Sequence, residues 1–272
     1  MNYKLAAFAD EASSQISEQI IAMKENGIDY LEIRGVDGQN ISAITKEKAK
    51  EVRAKLDDAG LGVWSIGSPC GKIGILDDFA PHLDNFKHCL ELADVLGAKH
   101  FRMFSFYVSD ENPEKYTDEV LSRLDKFIDA AKGNGIVLCH ENEKGIFGDV
   151  ASRCEIIHKS FPELKAVFDP ANFVQCKQDT IEAWNILAPY VEYLHIKDAM
   201  PDRSVVPAGK GVGNLPYILE RYKGAVLTIE PHLSVFPGFD QLEAEEKSKK
   251  KYVYPTHRAA FDAAVLALKD LI

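Results

Sequence analysis

Along the chain, short runs of β-branched and aromatic residues alternate with longer stretches whose apolar positions recur every three or four residues, the spacing of one helix face. The runs are KLAAFA (4–9), YLEIRG (30–35), GVWSIG (62–67), HFRMFSF (100–106), IVLCHE (136–141), KAVFD (165–169), VEYLHI (191–196) and AVLTIE (225–230). Between them the spacing predicts helices near 15–26, 45–59, 80–96, 112–133, 150–160, 178–188 and 214–222, with a last one in THRAAFDAAVLALKDLI. Several stretches stop at Gly one or two residues before the next run, as in ENGID, DAGLG, LGAKH and GNGIV, where a helix end favours a left-handed residue. Strand and helix alternating eight times imply parallel strands joined by right-handed crossovers. The predicted fold is α/β, a single (β/α)₈ TIM barrel over residues 1–272. A doubly wound open sheet is the alternative, but it announces itself with a Gly-rich first turn, and the first turn here reads FADEAS.

Composition agrees with this picture. At 272 residues the chain matches a barrel of about 250, and 46% apolar against 27% charged residues is ordinary globular usage with enough apolar material for a large core. The formal charge of −10 argues against nucleic acid or an anionic membrane as the main partner. No apolar stretch approaches the roughly 18 residues of a membrane span, and MNYKLAAFADEASS does not read as a secretory signal. Five scattered cysteines without a CxxC pair suit reduced thiols and a cytoplasmic location. Two loops are long, FYVSDENPEKYTDE and HLSVFPGFDQLEAEEKSKKKYVYP. The acidic-then-basic run of the second reads first as a solvated helix with i,i+4 pairs, and otherwise as a lid or subunit contact.

In such a barrel the chemistry gathers at the C-terminal ends of the strands. Strand five ends in CHE (Glu141), six in FDPAN (Asp169), seven in LHIKD (His195) and eight in TIEPH (Glu230). Neighbouring strands lie about 4.8 Å apart, so four ligands on four consecutive strands can converge on one divalent ion: Mn²⁺, Mg²⁺, Co²⁺ or Zn²⁺. Each residue alone has a plainer meaning. Glu141 would serve as a salt-bridged loop residue, Asp169 before Pro170 as a helix N-cap, and His195 as a core histidine. Glu230, ending the apolar run AVLTIE, is harder to excuse without a partner or a metal. The four together outweigh the separate readings.

With these motifs the chain resembles the xylose isomerase-like barrel superfamily, in particular its sugar phosphate isomerase/epimerase members. The resemblance runs through FADE, YLEIRG, HEN, FDPAN, HIKD, the Gly-x-Gly of Gly209 and Gly211, and IEPH. It implies that Glu141, Asp169, His195 and Glu230 hold the metal and that Glu141 and Glu230 double as an acid–base pair. The chemistry is coherent: a metal chelating a carbonyl and its neighbouring hydroxyl stabilises an enediolate, while a carboxylate on each side removes and returns the proton.

Candidate substrate binders surround this centre. His140 precedes Glu141, although strand alternation points it the other way. Lys197 and Asp198 follow the ligand His195, and such residues line the site in the family. Arg203, and Lys210 within AGKGVG, fall after strand seven, where barrels often bind phosphate; GKGVG lacks P-loop spacing and reads equally as a flexible turn. Lys72 and Arg102 are candidates for a phosphate or carboxylate, against surface ion pairs as the plainer role. Glu32 is as readily structural as substrate-contacting, and His232 either touches substrate or orients Glu230. Asn172 departs from the family pattern, in which many sugar epimerases carry His three residues after the strand-six aspartate.

The expected activity is therefore a metal-dependent isomerase or epimerase acting on a small carbohydrate, phosphorylated or not. An inosose-type dehydratase would use the same proton abstraction and expel a hydroxyl. An endonuclease IV-like phosphodiesterase would need further histidines on strands two to four, which end in Ile33-Arg34, Ser68-Pro69 and Phe104-Ser105. A non-catalytic sugar-binding barrel would show a degraded ligand set. Self-association into a homo-oligomer is left open, with the two long loops as its surfaces.

Overall fold

The computed structural model describes residues 3–233 and 252–272. Eight parallel strands close into a barrel in sequence order: β1 (Lys4–Ala7), β2 (Tyr30–Ile33), β3 (Gly62–Gly67), β4 (His100–Met103), β5 (Val137–Glu141), β6 (Lys165–Phe168), β7 (Val191–Ile196) and β8 (Val226–Ile229). β8 pairs back onto β1, Lys4 opposite Val226 and Ala7 opposite Ile229. The long helices between them are α1 (Ile16–Glu25), α2 (Lys46–Ala59), α3 (Ala80–Leu96), α4 (Thr117–Ala131) and α5 (Ala151–Ser160). The shorter α6 (Pro170–Gln175), α7 (Thr180–Leu187) and α8 (Leu215–Arg221) precede the closing α9 (His257–Lys269).

The helix ends follow the local chemistry. Thr45, Asp179 and Thr256 cap α2, α7 and α9 by accepting from Lys48, Glu182 and Ala259 backbone N–H groups. Gly60 and Gly97 stop α2 and α3 at φ +72° and +73°, a region where a Cβ is costly. Two two-stranded additions, Gly35–Val36 with Gln39–Asn40 and Asp198–Ala199 with Val205–Val206, sit on loops at the C-terminal mouth. The charged run after β8 lies in residues 234–251, outside the described residues.

The main apolar core lies between strands and helices, with Phe86, Phe101, Phe127 and Trp184 among its buried members. A second, smaller set fills the barrel itself: Ala6, Cys139, Val167, Tyr193 and Val226. Side chains two apart on one strand share a face, so this interior layer fixes which residues stand above it. Tyr193 points inward and so does His195; Cys139 sets Glu141, Val167 sets Asp169, and Val226 sets Thr228 and Glu230. The barrel is therefore apolar midway and polar at its mouth. Among the described residues no helix is long and apolar enough to cross a membrane.

Candidate metal centre

Glu141, Asp169, His195 and Glu230 are buried and offer ligand atoms that all lie within 4.8 Å of one another. His195 Nδ1 is 3.1 Å from Glu141 Oε1 and 3.2 Å from Glu230 Oε2. Its other nitrogen, Nε2, lies 3.1 Å from Glu32 Oε2, and Tyr193 donates its hydroxyl to Glu32 Oε1 at 2.9 Å. With Nε2 donating to Glu32, an Nδ1 that gives up its own proton would turn its lone pair toward the cluster, the usual carboxylate–histidine arrangement behind a metal ligand.

Asp169 divides its two oxygens. Oδ1 accepts from Asn172 N at 2.9 Å and caps α6, whereas Oδ2 faces the cluster, 2.8 Å from Lys197 Nζ. The plain and the chemical reading of Asp-Pro are thus both true of one side chain. Asn142 ties the ends of β5 and β6 together, donating to Asp169 O and accepting from Asp169 N, each at 2.9 Å. Asn172 Nδ2 donates to Asn142 O at 2.9 Å and reaches Glu141 Oε1 at 3.3 Å, so its amide holds the Glu141 carboxylate in place.

Whether these residues suit a cation is settled by their unmet demands. Glu141 Oε2 and Asp169 Oδ2 are buried and accept no hydrogen bond; they meet only cations, Arg102 Nη1 at 3.2 Å and Lys197 Nζ at 2.8 Å. Carboxylates this close repel by about 3 kcal/mol per pair at an effective dielectric near 20. Three oxygen donors and one imidazole are the donor set of a hard to borderline divalent ion. The residues fit the ion.

Titration shows the same tension. Burial opposes the His195 charge, but Glu141 and Glu32 outweigh it and hold the imidazole well above its usual range. Burial pushes Asp169 up to about 7, with Glu230 and Glu141 adding to it against Lys197. Burial would raise Glu230 as well, yet Lys197 and His232 hold it well below the carboxylate range. Lys197 itself is 3.1 Å from Glu230 Oε2. One ammonium therefore spans two of the expected ligands.

A family model described as xylose isomerase-like TIM barrel matches residues 20–244. The chain belongs to the xylose isomerase-like TIM barrel family. Solved structures share its fold at low identity. An L-ribulose 3-epimerase has TM-score 0.72 at 18% identity, covering 100% of this chain and 96% of that one. An IOLI protein with a bound zinc atom has TM-score 0.74 at 15% identity, covering 98% and 97%. The probable 3-DHS dehydratase AsbF of Bacillus anthracis, involved in petrobactin synthesis, has TM-score 0.69 at 16% identity, covering 99% of each. No curated protein matches the chain by sequence.

Around the centre of this xylose isomerase-like barrel, the other expected site residues divide. Arg102 enters the mouth from β4, beside Glu141 and 3.8 Å from Glu32 Oε1, with Phe8 and Phe104 under its guanidinium. Room for it comes from Gly67, where a Cβ would lie 2.6 Å from Phe8 and 3.1 Å from Arg102 Nη2. Lys72 pairs with Glu143 at 3.1 Å over the Phe104 ring, and both are half-buried at the rim. Burial opposes the Glu143 charge, but Lys72, Lys197 and Lys144 hold it at about 2. His232 Nε2 is 3.2 Å from Glu230 Oε1, and its backbone N–H donates to Glu11.

Two expectations need correcting, and a third concerns residues that lie apart from the cluster. His140 projects outward into the helix layer, hydrogen-bonded to Ser105 Oγ at 2.9 Å and edge-on to His158, because it has the opposite strand parity to Glu141. It does not face substrate. Asp198 is not exposed to the cleft: its carboxylate accepts from Gly209, Gly211, Gly213 and its own neighbour Ala199 at 2.9 to 3.0 Å. The Gly-x-Gly amides expected to cradle a phosphate are thereby taken. Arg203 is exposed at φ +73° and, among the described residues, forms no ion pair with the cluster; Lys210 is exposed as well.

Three participants were not singled out from sequence. Arg34 pairs with Asp10 at 2.8 Å and Glu11 at 3.2 Å and lies 3.6 Å from Glu230 Oε1. Burial pushes Glu11 up to about 8 in spite of Arg34. Glu143 is the third. The signals were present in FADE, in YLEIRG and in the charge following HEN, but nothing local says that such charges face inward.

Proposed function

We propose that this barrel is a divalent-metal-dependent isomerase or epimerase acting on a small polyhydroxylated carbonyl compound, a sugar or a sugar phosphate. Glu141, Asp169, His195 and Glu230 would hold the ion. When bound, it polarises a substrate carbonyl and adjacent hydroxyl and so lowers the cost of the charge left when the neighbouring C–H loses its proton.

The chain's own groups supply the proton chemistry. Glu141 and Glu230 approach the centre from β5 and β8, on either side of His195, so one carboxylate can take a proton and the other return one to the opposite face. Arg102 restrains Glu141, while His232 and Lys197 restrain Glu230. Asn172 offers a neutral amide where an acid–base histidine would stand, so it orients and does not shuttle. An L-ribulose 3-epimerase among the solved relatives supports carbohydrate chemistry. A dehydratase on the same barrel keeps elimination as the second reading.

The observation that carries the proposal is the buried four-residue cluster with two carboxylate oxygens that accept no hydrogen bond and meet only the charges of Arg102 and Lys197. The test is solvent deuterium incorporation into a panel of ketoses, aldoses and their phosphate esters, with Mn²⁺, Mg²⁺, Co²⁺ or Zn²⁺ present. Exchange at the carbon next to the carbonyl supports the reading, and loss of water from the product assigns the dehydratase. Protein that holds no divalent ion after equilibration and dialysis would overturn it.

A further inference from the structure

Resting on that reading, we infer that the substrate is an uncharged polyhydroxylated carbonyl compound, a free ketose or its like, and not a phosphate ester. The Gly209-to-Gly213 segment is built as an anion cradle, and the anion is internal. Asp198 Oδ2 accepts from Gly209 N and Gly211 N, both at 3.0 Å, and Oδ1 accepts from Gly213 N at 2.9 Å. The glycines exist for this contact: a Cβ on Gly211 would lie 2.3 Å from Asp198 Oδ1, and one on Gly213 would lie 2.7 Å from it. Successive backbone N–H groups that converge on one carboxylate form the concavity that elsewhere takes a phosphate. Here no donor is left over for one.

The charges at the mouth agree. The four cations around the cluster each have a carboxylate already: Arg34 has Asp10 and Glu11, Lys72 has Glu143, Arg102 has Glu141, and Lys197 has Asp169 and Glu230. A phosphate dianion bound beside the cluster would have to separate one of these buried or half-buried pairs and strand its carboxylate away from water. A hydroxyl asks for much less. The half-buried Lys72–Glu143 pair presents a donor and an acceptor side by side, which suits a polyol without separating the pair.

The test compares matched substrates on the metal-loaded full chain. Deuterium exchange into free pentuloses and hexuloses is expected to exceed that into their 1-phosphates and terminal phosphates at least 100-fold in kcat/KM. Equal or faster exchange into an ester overturns the inference and leaves the proposed function standing. Absence of exchange into either class counts against the function itself, and inorganic phosphate then decides the remaining question. Millimolar phosphate should leave the thermal midpoint of the wild type unchanged but raise that of Asp198→Ala, in which the carboxylate has left the cradle. Phosphate protection of the wild type overturns the inference.

Discussion

At the scale of single residues, the two glutamates are not interchangeable with their neighbours. Glu230→Gln keeps the size and hydrogen-bonding shape of the side chain but removes its basicity, and should lower deuterium exchange by about 100-fold or more while the thermal midpoint stays near wild type. Near-normal exchange would end the two-carboxylate scheme. Glu32 acts one step back from the centre. Glu32→Gln should weaken ion binding by about 10- to 100-fold, measured by calorimetry, because His195 Nε2 loses its charged acceptor. The four residues of the cluster were legible in the sequence because each one closes a short apolar run. Glu32 was not legible as their support, since its partner His195 lies 163 positions later and only barrel closure makes them neighbours.

At the scale of elements, the eight strands and their helices follow from periodicity almost residue for residue, and strand alternation already turns His140 outward while its neighbour turns in, whereas two features escaped it. The two-residue strand pairs are too short to show a period. Helix α6 hides behind the Asp169 cap. The packing around these elements has measurable consequences. Gly211→Ala must push Asp198 out of its cradle and should destabilise the fold by about 1–3 kcal/mol through the unmet buried amides, seen as a lower thermal midpoint. Against α5, burial drives His158 down to about 4, and burial together with His158 drives His140 well below its usual range. The unfolded chain takes up those protons near pH 6.5 and the folded chain does not. The share of stability that rests on these two imidazoles is therefore complete above pH 6.5 and declines as pH falls toward 4, by roughly 3 kcal/mol for His158 alone. Between pH 7 and pH 5 the urea midpoint of the wild type should fall relative to that of His158→Gln.

For the molecule as a whole, ion binding, protonation and stability are one linked equilibrium. Burial holds Asp169 up to about 7, and the neighbouring carboxylates hold His195 well above its usual range, so an entering cation would have to displace protons held there. Affinity should fall as pH drops below 7. Calorimetry in buffers of different ionisation enthalpy should show protons released on ion binding. The thermal midpoint should rise with divalent ion concentration, and a midpoint indifferent to the ion at pH 7.5 would contradict this linkage.

The position of Lys197 has a consequence for which ions the barrel can hold. Its ammonium already occupies the gap between Asp169 and Glu230, a tethered tenant that no dilution removes. Sodium or potassium carries the same single charge and would have to give up its water to enter, so neither would gain over what is already in place. A doubly charged ion would gain more, settling beside the ammonium on the carboxylate oxygens that it leaves free. The side chain that keeps these carboxylates from repelling one another would thus also select for valency.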